Sequence, residues 1–184
     1  FQQIVSDVLP GSPAERAGLR TGDALLSING EPVFDLIDYE ALTANEKLTL
    51  EAQKQSGERA TIELNKDDYE PLGLSFATSL MSAMRTCKNH CVFCFIDQMP
   101  KDVRSSLHVK DDDWRMSFIM GNYVTLTNLD ERELDRIIRR RVSPLYVSLH
   151  ATDPAVRRDM MKNPNAGSIV DQLKRLAEAE LTFH

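Results

Sequence analysis

Three cysteines, Cys87, Cys91 and Cys94, fall within one short segment, Thr86-Cys87-Lys88-Asn89-His90-Cys91-Val92-Phe93-Cys94-Phe95, and the chain has no others. An odd, clustered set is a poor disulfide framework, and thiols so close in sequence have to share one tight loop. That pattern points to metal ligation in a reducing compartment, and so to a cytoplasmic protein. Three thiolates spaced C-x3-C-x2-C can hold three irons of a [4Fe–4S] cluster and leave the fourth iron open, as a catalytic metal requires. The alternative is a zinc site of three cysteines and one histidine. His90 is adjacent to Cys91, which makes shared tetrahedral ligation awkward, but His108 or His150 can stand in for it. A ferredoxin needs a fourth cysteine.

Hydrophobic residues make up 42% of the 184, enough for a packed core. The formal charge of −6 leaves no basic footprint for nucleic acid or an anionic membrane. The one basic run, Arg139-Arg140-Arg141, closes a predicted helix, where positive charge opposes the helix dipole. No stretch approaches the roughly 18 apolar residues of a membrane span, and no signal peptide is seen. The chain opens on Phe1 and closes on Leu181-Thr182-Phe183-His184, which reads as an opening strand, so a fragment of a longer protein is expected.

The first third reads as short strands and turns. Strands are expected over residues 4–8, 24–28, 47–53 and 59–65, and an amphipathic helix over 35–44. Ser12 is a natural N-cap, with Pro13 at the first helical position and Glu15 completing a capping box; Gly18 ends that short helix. Gly22-Asp23 and Asn29-Gly30 mark turns. Gly11-Ser12-Pro13-Ala14, followed by Ala17-Gly18-Leu19, Gly22-Asp23 and Ile28-Asn29-Gly30, resembles a bacterial-type PDZ domain. Such domains bind peptide ends by strand addition beside a glycine-rich carboxylate loop. No such loop precedes Ile4, but Leu72, Gly73 and Leu74, with Ser75 and Phe76, resemble one placed after the last strand, as in a permuted PDZ domain. The same segment also reads as a linker over 68–79.

From about residue 80 strands alternate with helices, the pattern of a parallel sheet. Strands are expected over 84–86, 118–126 and 145–150. Asp130, Asp153-Pro154 and Ser168 with Asp171 open helices. The cysteine spacing, with aromatic Phe93 just before Cys94, resembles the radical S-adenosylmethionine (SAM) superfamily. In that superfamily the open iron chelates the SAM amino and carboxylate groups, and electron transfer releases methionine and a 5′-deoxyadenosyl radical. The resemblance implies further cofactor contacts from Gly121 and Asn122, near where the superfamily has Gly-Gly-Glu, although no glutamate is present here. It also implies contacts from Ser148 and His150 at the end of the third strand. His150 reads equally as a satisfied strand-end histidine. Cys94-Phe95-Ile96-Asp97-Gln98-Met99-Pro100, Lys110-Asp111-Asp112-Asp113-Trp114-Arg115 and Thr125-Leu126-Thr127-Asn128-Leu129 extend the likeness to a bacterial family that joins an N-terminal PDZ domain to a radical SAM domain. The aspartate triplet can bind a cation, or form a solvated or salt-bridged loop.

The expected fold is therefore α/β with a β-rich N-terminal domain. A PDZ-like domain occupies 1–79, and the first half of a partial (β/α)6 radical SAM barrel occupies 80–184. The expected function is that of an iron–sulfur oxidoreductase of unassigned reaction, cleaving SAM at a [4Fe–4S] cluster with electrons from a donor the sequence does not identify. The PDZ-like domain would recognise a peptide or protein. The alternative is a peptide-binding adaptor with a structural zinc or iron–sulfur centre.

Overall fold

The computed structural model describes residues 2–184. The chain divides into two compact units that meet between Ala83 and Met84. Among the described residues no helix is long and apolar enough to cross a membrane.

The first unit contains β1 (Gln3–Val8), α1 (Pro13–Arg16), β2 (Ala24–Ile28), β3 (Glu31–Pro32), α2 (Leu36–Thr43), β4 (Lys47–Gln53), β5 (Arg59–Asn65) and β6 (Leu74–Phe76). The sheet order is β5-β4-β2-β1-β6, with β3 paired to β2 and every pairing antiparallel. Strict alternation along β4 puts Leu48, Leu50 and Ala52 in the core, while Lys47, Thr49 and Glu51 face solvent. Leu25, Ile28, Tyr39 and Leu42 complete that core. Asp35 caps α2 by accepting the Ile37 N–H at 3.0 Å. The Ser12 hydroxyl accepts from Glu15 N–H at 3.3 Å, as expected of an N-cap. The returning Glu15 carboxylate takes the Gly11 N–H at 2.7 Å, one residue earlier than a capping box requires.

The segment that reads as either a carboxylate loop or a linker forms part of the sheet. Leu74–Phe76 closes it as an edge strand against β1. Gly73 sits at φ +86°, and a Cβ there would lie 2.2 Å from Ser12 Cβ. Gly73→Ala is therefore expected to destabilise the first unit by more than about 1 kcal/mol, from left-handed strain and the collision together. Urea denaturation checks this; an unchanged midpoint would contradict it.

The second unit contains α3 (Trp114–Met120), β7 (Tyr123–Val124), α4 (Glu131–Arg139), β8 (Tyr146–Val147), α5 (Pro154–Met161) and α6 (Ile169–Glu178). Two 3-10 turns, Ser105–His108 and Pro164–Ser168, lie between them. β7 and β8 are parallel, in register Tyr123 to Tyr146 and Val124 to Val147. Residues 182–184 continue the parallel order beside β8: Leu145 bridges Phe183, and Val147 N–H donates to His184 O at 2.8 Å.

Three strand expectations need correction. Residues 118–120 are the last turn of α3, because Asp113 caps that helix by accepting Arg115 N–H and Gly121 ends it in the left-handed region. The strand expected over 118–126 is thus only Tyr123–Val124. The strand expected over 145–150 narrows to Tyr146–Val147, and His150 turns away at φ +61°. Residues 84–86 do not extend this sheet; Thr86 bridges Asp111 in antiparallel sense. The Ser168 side chain also makes no cap bond to α6, since Ser168 ends the preceding 3-10 turn and its hydroxyl donates to Asn165 O.

Parallel strands leave carbonyls at their C-terminal ends, and Arg157 of α5 gathers them. Its guanidinium donates to the carbonyls of Thr125, Ser148, Leu149 and Ala166 at 2.6–3.0 Å, with 1% of the residue exposed. One buried side chain thus ties the exits of β7 and β8 to the turn before α6.

Candidate functional site

The cysteine loop has no regular secondary structure and is laid against the end of α5 by its backbone. His90 N–H donates to Met161 O and Val92 N–H to Met160 O. Cys87 N–H donates to Lys110 O at 2.7 Å, and Cys94 N–H turns back to Cys91 O at 3.0 Å. All three cysteines are free thiols of intermediate exposure.

Burial pushes the Cys91 thiol up, and the like charges of Cys87 and Cys94 push it further. Burial also raises Cys87, against a hydrogen bond from the Asn89 backbone N–H. Lys110 supplies the local positive charge. Its ammonium donates to Asn89 O at 2.7 Å and Asp97 Oδ2 at 2.6 Å, and it interacts electrostatically with Cys87 and Cys94. Among the described residues no group of three or more His, Cys, Asp or Glu is placed to hold a metal ion. Three thiols on one short loop without a fourth cysteine fit the donor set of a three-thiolate cluster and, with a histidine, that of one zinc ion.

Phe93 and His150 come together, with ring centroids 4.8 Å apart at 52°. Burial, then the Arg157 charge, lowers the His150 pKa and favours the neutral imidazole. Ser148 lies at the exit of β8, its N–H donating to Val124 O. Gly121 and Asn122 precede β7. Gly121 is the C-cap of α3, and the Asn122 amide donates to Asp111 Oδ2 at 2.9 Å. The contacts to the cysteine loop come instead from beyond β7, where Thr125 and Thr127 meet the Asn89 side chain. Sequence reasoning missed Asn89, Thr127 and Asn163 as parts of the site; a short polar residue inside the cysteine loop was the available signal.

The aspartate triplet is structural rather than solvated. Asp112 is buried and accepts from the Thr125 N–H and hydroxyl at 2.5 and 2.7 Å. Burial alone would raise the Asp113 carboxyl, but the Arg115 guanidinium and the Arg85 backbone N–H hold it below its ordinary range. Arg85 and Arg136 flank the Trp114 ring at 5.6 and 5.4 Å.

The first unit has its own concavity, about 260 Å³, between β6 and α2. Leu72, Gly73 and Leu74 line one side, and Tyr39, Glu40 and Thr43 the other. Tyr39 stands edge-on to Phe76 at 5.3 Å. Burial pushes its hydroxyl up to about 12, although the Leu74 backbone amide turned towards it acts the other way.

Comparisons with known proteins find two families along the chain. Residues 4–54 match the PDZ domain family. Over 68 residues the chain is 31% identical to the Arabidopsis thaliana protein named as protease Do-like 14, covering 37% of this chain and 15% of that one. Over 32 residues it is 53% identical to the serine protease HhoA of Synechocystis, covering 17% of this chain and 8% of that one. The chain thus spans only a small part of both relatives. A crystal structure of the HtrA3 PDZ domain bound to a phage-derived ligand, FGRWV, aligns with 35% of this chain and 58% of its own, at 28% identity and a TM-score of 0.32. The Radical SAM-like domain matches residues 66–184, well over half of the chain. A PDZ domain is therefore joined to a second, larger domain, and by that match the chain belongs to the Radical SAM-like domain family.

Proposed function

We propose that this chain is the substrate-recognising and cluster-binding part of a radical SAM enzyme. The observation that carries the reading is the single loop that holds Cys87, Cys91 and Cys94 as free thiols and contacts residues just beyond parallel strand β7. The exits of parallel strands are where α/β enzymes build their sites. Strands β7 and β8 and residues 182–184 would be the opening strands of a partial (β/α)6 barrel. In this reading residues 1–79 recognise and residues 80–184 carry the chemistry.

Cys87, Cys91 and Cys94 would hold a [4Fe–4S] cluster, which supplies reductive cleavage of SAM when bound. The chain's own residues shape the surroundings. Lys110 offsets negative charge at the sulfurs, the Phe93–His150 pair is an apolar and aromatic wall for an adenosyl group, and Ser148 offers polar groups at the exit of β8. Gly121 and Asn122 would reach a cofactor from the side of Asp111. The test is anaerobic reconstitution of the full-length protein, chemical reduction, and assay with SAM. Formation of 5′-deoxyadenosine is expected, and its absence from protein that holds iron and sulfide would contradict the reading.

The β6–α2 groove supports peptide binding by strand addition, with backbone N–H groups of residues 72–74 receiving a terminal carboxylate. Gly73→Asp does not isolate charge repulsion there, because any side chain collides with Ser12. Changing the ligand avoids this. A C-terminal peptide with an apolar last residue is expected to bind at least about tenfold more tightly with a free carboxylate than as its amide, since charge-assisted hydrogen bonds contribute about 1.5–3 kcal/mol. Fluorescence anisotropy checks this, and equal affinities would contradict it.

A further inference from the structure

Asn89 lies between the first two cysteines, and 0% of it is exposed. Its side-chain hydrogen-bonding capacity is fully used. Nδ2 donates to Cys87 Sγ at 3.3 Å and Thr125 Oγ1 at 2.9 Å. Oδ1 accepts from Thr127 Oγ1 at 3.0 Å and Asn163 Nδ2 at 2.7 Å. An amide can be turned either way, so the donor towards sulfur needs a reason. A backbone provides it. Asn165 N–H, which can only donate, bonds Asn163 Oδ1 at 2.9 Å. Asn163 must then present its NH2 to Asn89, and Asn89 must present its own NH2 to Cys87. A backbone group near α5 thus fixes which atom of Asn89 faces the sulfur.

Resting on the radical SAM reading, we propose that Asn89 is a positioning residue that fixes Cys87 and sets the reduction potential of the cluster held there. The side-chain amide of this one residue thus aims a fixed donor at the Cys87 sulfur. Donors to a cluster sulfur withdraw negative charge and favour the reduced state, raising the potential. The connections to Thr125, Thr127 and Asn163 hold that donor in place and join the loop to β7 and α5.

The test is a redox titration of the reconstituted protein without SAM, followed by electron paramagnetic resonance. Asn89→Leu keeps similar bulk and removes the donor. Its cluster is expected to have a lower potential, by a shift equivalent to about a tenfold change in the one-electron equilibrium, about 59 mV. Thr127→Val removes one of the two bonds to the Asn89 amide oxygen and is expected to shift the potential the same way by less. If Asn89→Leu does not take up iron, Thr127→Val decides. Variants that load iron and titrate at the wild-type potential, or above it, overturn the proposal and leave the radical SAM reading intact. Wild-type protein that binds no iron and sulfide overturns both.

Discussion

Replacing Cys87, Cys91 or Cys94 singly by alanine is expected to cut the iron retained after anaerobic reconstitution at least about tenfold. A three-thiolate cluster has no spare protein ligand, and removing one leaves an iron without its anchor. The chain holds no other cysteine to substitute. Iron analysis after desalting reads the effect. The folded structure should survive these replacements, because all three thiols are partly exposed and none belongs to the core. A far-ultraviolet circular dichroism spectrum like that of the wild type would separate loss of a ligand from loss of fold. Alanine variants that retain iron as the parent does would show that the cysteines are not the ligands.

Arg157→Leu is expected to destabilise the second unit by about 3–5 kcal/mol. Leucine fills part of the space but strands the carbonyls of Thr125, Ser148, Leu149 and Ala166, all now bonded to the guanidinium. Each orphaned carbonyl costs part of its desolvation, though some will regain water. Burial also lowers the Arg157 pKa, so the site already works against that charge. Arg157→Lys should recover only part of the loss, since one ammonium cannot reproduce the planar fork. Urea unfolding followed by the intrinsic fluorescence of Trp114, which lies in the same unit, gives the difference. A loss under about 1 kcal/mol would mean that water replaces the guanidinium without cost.

Much of the first unit was legible because its signals are local. Alternation marked β4 and β5 to the residue, and the proline, glycine and serine at 10–13 marked the entry to α1. The role of residues 72–76 was not legible. β6 pairs with β1 from the far end of the unit, and no local pattern encodes such a pairing. In the second unit the short apolar run Phe118-Ile119-Met120 suits a strand as well as a helical turn, and the Asp113 cap and Gly121 decide for the helix. The cysteine loop was readable from spacing alone. Its supporting residues were not, because the Asn89–Asn163 bond joins positions 74 apart in the sequence. Polar contacts at that range leave no periodic trace.

The central claim is that Cys87, Cys91 and Cys94 hold an iron–sulfur cluster rather than a zinc ion. Metal and acid-labile sulfide analysis of protein reconstituted anaerobically with iron and sulfide in the presence of equimolar zinc tests it most directly. The account predicts about four iron and about four sulfide per chain, with zinc well below stoichiometry. About one zinc per chain, with no sulfide, would contradict it.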